Sequence, residues 1–370
     1  MFTQPFWEAA IGLVRGLLAS PLVDTLTTPH GIDRFLELAN PMWAVHEVRA
    51  RIEHVEREAP GVSTLTLRPT GSWRGALAGQ HVQVGVVVDG VRRTRCFSLS
   101  SSAHRRDGRI TITVKEHDEG YVSRYLAHDV PVGTVVHLSA AEGEFTLPEP
   151  RPDRLLMISA GSGVTPVMSM LRTLCDEGYA GSVTFLHYAR TAEETIFAAE
   201  LAELTASCDF AEVVVVHTRT EGGSLTGRFD EQHLRAVAPD FAGVPTYACG
   251  PSGLIEQVQR VYDEAGAADR LRVEHFKTPA IAVDPTAGGT VEFRRSMQTT
   301  PNSGQTLLEQ AEGAGLTPAY GCRMGICKSC TTRKSEGTVR NVINGAESSL
   351  PDEDIQICVS APVGDCALNL

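Results

Sequence analysis

The sequence lacks any apolar run near the roughly 18 residues that suggest a membrane span. It also lacks the basic start and unbroken apolar centre of a secretory signal. The apolar stretch from Phe6 to Val23 meets its first charge at Glu8 and is interrupted by Arg15. The expectation is a cytoplasmic protein without a transmembrane segment. Positive charge is scarce: 33 Lys and Arg stand against 45 Asp and Glu, a formal net charge of -12. On electrostatic grounds that argues against nucleic acid as a partner. Repeats and low-complexity tracts are absent. The nine cysteines are an odd number in a large chain, which argues against a disulfide framework. Three of them fall within nine residues, which points instead to metal chemistry.

A chain of 370 residues is too long for one ordinary core, and two or three domains are expected. Residues 1–44 look helical, with Phe6, Trp7, Ala10, Ile11, Val14, Leu17 and Leu18 at helical spacing. That face fits either packing on the protein's own body or contact with a membrane or partner. Residues 45–150 carry short β-rich runs, among them Val48–Val55, Val62–Leu67, His81–Val88 and Ile110–Val114, which suggest a small antiparallel barrel. Residues 151–278 alternate strands with helices and read as a parallel α/β sheet. Residues 279–289 read as a linker. Residues 290–370 form a last domain, with a strand over Thr290–Met297, a helix over Gln305–Ala314 and strands near Thr338–Val342 and Ile355–Ser360.

Cys322, Cys327 and Cys330 make a C-x4-C-x2-C loop, and Cys358 lies further on. This is the spacing used to hold a plant-type [2Fe–2S] cluster. Gly321 and Gly325 let the backbone curl close to the inorganic sulfides. Zinc is the alternative, but it prefers paired C-x2-C units or Cys/His mixtures. Cys366 competes with Cys358 as fourth ligand; the apolar run Ile355–Val359 suits a buried ligand better.

A second group is Arg95, Phe97 and Ser98, followed by Gly120, Val122 and Ser123. An aromatic ring can stack on a flavin, a Ser hydroxyl can reach its N5 edge, and Arg95 can pair with a pyrophosphate. Gly120 allows close approach, and Ser123 is placed to cap a helix whose N-terminus faces phosphate. Alone, Phe97 reads equally as core and Arg95 as a solvated charge. A third group is Gly161, Gly163, Thr165 and Pro166, after a strand and opening a helix. It differs from G-x-G-x-x-G because Pro166 holds the third-glycine place. Cys249, Gly250 and Pro251 form a similar strand-to-helix turn, and both turns belong at the carboxyl edge of the sheet, where ligands bind. Arg190, helped by Arg219, stands where the 2′-phosphate of NADPH would fall.

The order R-x-F-S, Thr111 to Lys115, G-x-x-S, G-x-G-x-T-P and C-G-P resembles the ferredoxin–NADP reductase superfamily from about Val48 to Phe276. The stretch from about Thr290 to Leu370 resembles plant-type ferredoxins. The resemblance implies an antiparallel FAD-binding β-barrel, a parallel α/β nucleotide-binding domain and a β-grasp [2Fe–2S] ferredoxin domain, with NADPH or NADH as substrate. It implies a flavin site of Arg95, Phe97, Ser98, Lys115, Gly120, Val122 and Ser123. Cys249 would lie near the hydride-transferring carbon, and Phe276 near the flavin's other face. Hydride carries two electrons and the cluster accepts one, so a flavin between them is required. The resulting function is a reductase for an iron-dependent desaturase or oxygenase. The stretches Pro21–Val23 and Leu38–Trp43 look like the reductases that serve membrane acyl-CoA desaturases, which implies peripheral membrane association through the partner. Ring-hydroxylating oxygenases, monooxygenases and cytochromes P450 are alternatives, and a non-catalytic redox sensor is the alternative of another class.

Overall fold

The computed structural model describes Val23, Thr27 and residues 31–88, 91–117, 120–208, 210–220, 225–276, 288–320, 325, 328–343 and 345–370. Most of the expected N-terminal helix and most of the expected linker lie outside them. So do Cys322 and Cys327. The chain divides into two compact units: residues 1–93, 97–147 and 168–179, and residues 94–96, 148–167 and 180–370. Among the described residues no helix is long and apolar enough to cross a membrane.

In the first unit helix α1 (Gly31–Ala39) precedes strands β1 (Val48–Ala59), β2 (Val62–Pro69), β3 (His81–Val88), β4 (Val91–Ser98) and β5 (Ile110–Lys115). A short helix α2 (Tyr121–Arg124) and strand β6 (Val135–Leu138) follow. The sheet runs β4-β3-β6-β1-β2-β5, and a bridge from Leu99 to Ile112 joins its ends into a barrel. Inward residues of every strand fill the barrel, among them Ile52, Leu65, Val84, Ile112 and Val136. Period-2 alternation puts them on one face. β4 was not anticipated, because Arg92, Arg93, Thr94 and Arg95 hide the apolar alternation.

α1 is strapped to the barrel by polar groups. The Asp33 carboxylate accepts from the backbone N–H of Val45, His46 and Glu47 at 2.5, 2.9 and 2.8 Å. Burial works against its charge, yet these donors hold it below the usual carboxylate range. Arg49 is buried and donates to Pro41 O at 2.8 Å and to Glu47 Oε2 at 3.1 Å. Phe35, Leu38 and Trp43 point outward from this strap and are at least half exposed.

The second unit holds two sheets. The first is parallel, in the order β11-β10-β7-β8-β9: β7 (Arg154–Ala160), β8 (Ser182–Ala189), β9 (Ala211–His217), β10 (Thr246–Gly250) and β11 (Leu271–His275). The helices between these strands in sequence are α3 (Val164–Glu177), whose residues from Met168 on fall in the first unit, α4 (Ala198–Ser207), α5 (Glu231–Val237) and α6 (Ser252–Glu264). Ile158, Leu186, Val216 and Ala248 pack on Leu234 of α5 and on Ile255 and Tyr262 of α6. Asp230 caps α5, its Oδ1 accepting from Gln232 N–H at 2.8 Å.

The second sheet is mixed, in the order β13-β12-β17-β14-β15, with β16 also on β14. Its strands are β12 (Thr290–Phe293), β13 (Gln298–Pro301), β14 (Thr331–Asn341), β15 (Glu347–Ser348), β16 (Glu353–Gln356) and β17 (Ser360–Leu368). Helix α7 (Leu307–Gly313) starts with a capping box of Thr306 and Glu309. This is the expected β-grasp arrangement. The strand expected over Thr290–Met297 is instead the first half of a hairpin, and Met297 turns it with φ of 51°. Lys334 is buried, and its Nζ donates to the carbonyls of Gly337, Ser348 and Leu350 at 2.8, 3.2 and 2.7 Å, tying β14 to the segment after β15.

Candidate functional site

The end of β4 carries the first group. Side chains alternate along a strand, so Arg95 and Phe97 share one face and Ser98 lies on the other. Phe97 packs on the barrel core but stays partly exposed, and Ser98 is buried. Arg95 Nη1 donates to Thr94 O at 2.8 Å. The bridge at Leu99 brings this end of β4 beside β5, whose last residue is Lys115. Gly120 is the N-cap of α2 and offers no side chain. The expected capping role of Ser123 is therefore corrected. Its Oγ accepts from His117 N–H at 3.2 Å and donates to Gly120 O at 3.1 Å, so it braces the loop from inside the first turn. Val122 lies in the barrel core, which leaves its backbone as the part free to meet a ligand.

The nucleotide group forms at the carboxyl edge of the parallel sheet. β7 ends in a single 3₁₀ turn, Gly161–Gly163, and α3 follows at once. β7 and β10 pair Ser159 with Cys249, so the turn at Gly161 and the turn at Gly250–Pro251 lie side by side. A Cβ on Gly163 would stand 2.2 Å from Cys249 O, so only glycine fits between the two turns. Thr165 Oγ1 donates to Ser162 O at 3.0 Å and steadies the first turn, with Pro166 buried behind it. These features make a backbone-lined cradle that suits a dinucleotide pyrophosphate.

Cys249 is buried and pairs across the sheet with Glu274. Burial raises the thiol's pKa, and Glu274 raises it further once its carboxyl is ionised. Burial pushes the Glu274 carboxyl up to about 8. Glu274 was not among the expected site residues; its only sequence signal is its place two residues before Phe276. Phe276 follows His275, which pairs with Gly250, so it stands near the same edge. At the far side, Arg219 N–H donates to Arg190 O at 3.0 Å, which continues the β8–β9 pairing and brings the two exposed arginines together. Arg190 Nη1 also lies 3.5 Å from Glu194 Oε2.

In the β-grasp sheet Cys330 and Cys358 are both buried and in one apolar cluster. β14 pairs Thr331 with Gln356, and Ile357 N–H donates to Cys330 O at 3.4 Å, so Cys358 is one residue from the contact. Cys366 pairs with Gly337, six residues further along β14 than Thr331, or roughly 20 Å at strand rise. Its thiol is pushed up to about 11, first by burial. Gly325 has φ of 74°, and a Cβ there would come within 2.9 Å of Val359. The buried thiols of Cys330 and Cys358 and the left-handed turn at Gly325 suit an iron–sulfur cluster.

Three family models match the chain: an oxidoreductase FAD-binding domain over residues 52–147, an oxidoreductase NAD-binding domain over 157–260 and a 2Fe-2S iron-sulfur cluster binding domain over 292–363. The chain is 41% identical over 351 residues to an NADPH oxidoreductase of Mycobacterium tuberculosis, covering 93% of this chain and 90% of that one. It is 32% identical to a 3-ketosteroid-9-alpha-monooxygenase ferredoxin reductase component of Mycolicibacterium smegmatis, with 73% and 80% covered. Its fold is similar to that of phthalate dioxygenase reductase, with a TM-score of 0.60 at 24% identity over 88% of this chain and 98% of that one.

Proposed function

This chain belongs to the ferredoxin reductase-type oxidoreductases, NAD(P)H-dependent enzymes with FAD-binding, NAD-binding and 2Fe-2S domains, and we propose that it supplies electrons to a separate oxygen-activating iron enzyme, in the first place a fatty acyl-CoA desaturase. The observation that carries the electron-supplying role is one chain that joins a nucleotide cradle at Gly163 and Cys249 to paired buried thiols at Cys330 and Cys358. When bound, the flavin takes the two electrons of a hydride and the cluster conducts them singly.

The chain's own residues bind and orient. Gly161, Gly163, Thr165, Pro166, Gly250 and Pro251 hold the dinucleotide. Cys249 walls its nicotinamide end as a neutral thiol, because burial keeps the proton on sulfur. Phe97 covers the flavin ring and Ser98 meets its edge. Arg95, Lys115, Gly120, Val122 and Ser123 hold the rest of the flavin. Cys322, Cys327, Cys330 and Cys358 are the iron ligands. Arg190 and Arg219 pair with a 2′-phosphate, which favours NADPH.

The desaturase reading is supported by the exposed Phe35, Leu38 and Trp43 on the α1 strap, which suit a partner held at a membrane. The test is reconstitution of the holoprotein and NADPH with membranes carrying an acyl-CoA desaturase, or with a soluble ring-hydroxylating oxygenase or cytochrome P450. Product formation coupled to NADPH oxidation is expected with the desaturase. Coupling to a soluble oxygenase alone overturns the acceptor, and coupling to none overturns the electron-supplying role.

A further inference from the structure

Arg93 lies two residues before Arg95 and four before Phe97 on β4, so the three share one face of the strand. Its guanidinium carbon stands 4.8 Å from the centroid of the Tyr121 ring. Tyr121 follows Gly120 directly, and it is 61% exposed. Arg93 Nε is buried and has no hydrogen-bond partner among the described residues. A buried donor left unmade is costly, and each one calls for an explanation.

The missing partner can be read from the order along the strand. Same-face positions follow one another at about 7 Å. A flavin dinucleotide is laid out as ring, phosphate, phosphate and adenosine. Phe97, Arg95, Arg93 and Tyr121 repeat that order as aromatic face, cation, cation and aromatic face. Guanidinium is suited to phosphate oxygens, and an exposed phenol ring to a purine.

We propose that Arg93 and Tyr121 bind the adenylate half of FAD, Arg93 donating to the second phosphate and Tyr121 stacking on adenine. The pair thereby selects the dinucleotide over FMN, which ends at the first phosphate. This rests on the reading that the flavin ring meets Phe97 and its first phosphate Arg95.

The test is titration of the full-length, flavin-depleted chain with FAD and with FMN, followed by flavin fluorescence. Arg93→Ala is expected to weaken FAD about tenfold or more and to leave FMN within twofold. Arg93→Lys should recover part of the loss, because it keeps the charge. Tyr121→Leu, at an exposed ring, should weaken FAD alone and by less. Unchanged FAD affinity in Arg93→Ala overturns the proposal. So does an equal loss for both flavins, which would make Arg93 a brace of the barrel. Phe97→Ala tests the underlying reading separately: if it leaves FMN affinity unchanged, the ring is not at Phe97 and that reading fails, whatever Arg93→Ala does.

Discussion

Cys249 and Glu274 face each other across β10 and β11, with the thiol sulfur 4.0 Å from Glu274 Oε2. Both groups are pushed toward their neutral forms by burial. A protonated carboxyl next to a protonated thiol makes a nearly uncharged wall at the place where the nicotinamide is expected. Such a wall tolerates an apolar ring face and does not compete with it as a nucleophile.

The pH dependence of stability follows from Glu274. Its folded pKa, about 8, lies above the ordinary 4.5, so folding favours the protonated form. The stabilising contribution is complete below the ordinary value and is lost as pH rises toward about 8. Glu274→Gln removes this dependence. The melting temperature of the variant should exceed that of the native protein by several degrees near pH 8.5 and by much less near pH 5.5. An identical difference at both pH values would show that Glu274 stays charged in the folded protein.

Gly163→Ala puts a methyl group against Cys249 O. The two turns must then spread, and the nucleotide cradle widens. Flavin reduction by NADPH should slow by about 10²-fold, as for other small misplacements of bound substrates. Cluster reduction after chemical reduction of the flavin should keep its native rate. Stopped-flow absorbance separates the two steps, and unaltered flavin reduction would remove Gly163 from the site.

Cys358→Ser and Cys366→Ser should part company. The first is expected to lose the cluster's visible absorbance and its electron paramagnetic resonance signal in the reduced protein, while NADPH-driven ferricyanide reduction through the flavin persists. The second should retain the cluster, because Cys366 lies roughly 20 Å along β14 from the Cys330–Cys358 contact. The reverse pattern would exchange the two assignments.

Arg190→Ala combined with Arg219→Ala should raise KM for NADPH by about 10- to 100-fold, the loss of one or two charge-assisted contacts. KM for NADH should change little, because NADH lacks the 2′-phosphate. Equal effects on both nucleotides would mean that the arginines support the β8–β9 end and do not read the phosphate.

How much of this is legible in the sequence differs from site to site. Gly161, Gly163 and the turn at Gly250 stood out, because few residue types can occupy such turns and the composition records it. The adjacency of the two turns did not stand out, since it comes from the pairing of Ser159 with Cys249 across strands 90 residues apart. β4 and β11 leave no signal in the sequence for a related reason. β4 is filled with arginines, and β11 with Arg272, Glu274 and His275, so neither shows an apolar period. Pairing with neighbouring strands decides their conformation.

By itself the sequence determined the chemistry on offer: three thiols in C-x4-C-x2-C, glycines at two strand-to-helix turns, and an R-x-F-S run ahead of G-x-x-S. Local spacing is written directly into the chain, and the short loops it describes need no distant partner. Only the tertiary structure decided which far-apart groups meet. It set Cys358 and not Cys366 beside Cys330, faced Glu274 toward Cys249, and turned Ser123 inward to brace its own loop. Those outcomes depend on strand register and burial, which are properties of the whole packed sheet and leave no mark at any single position.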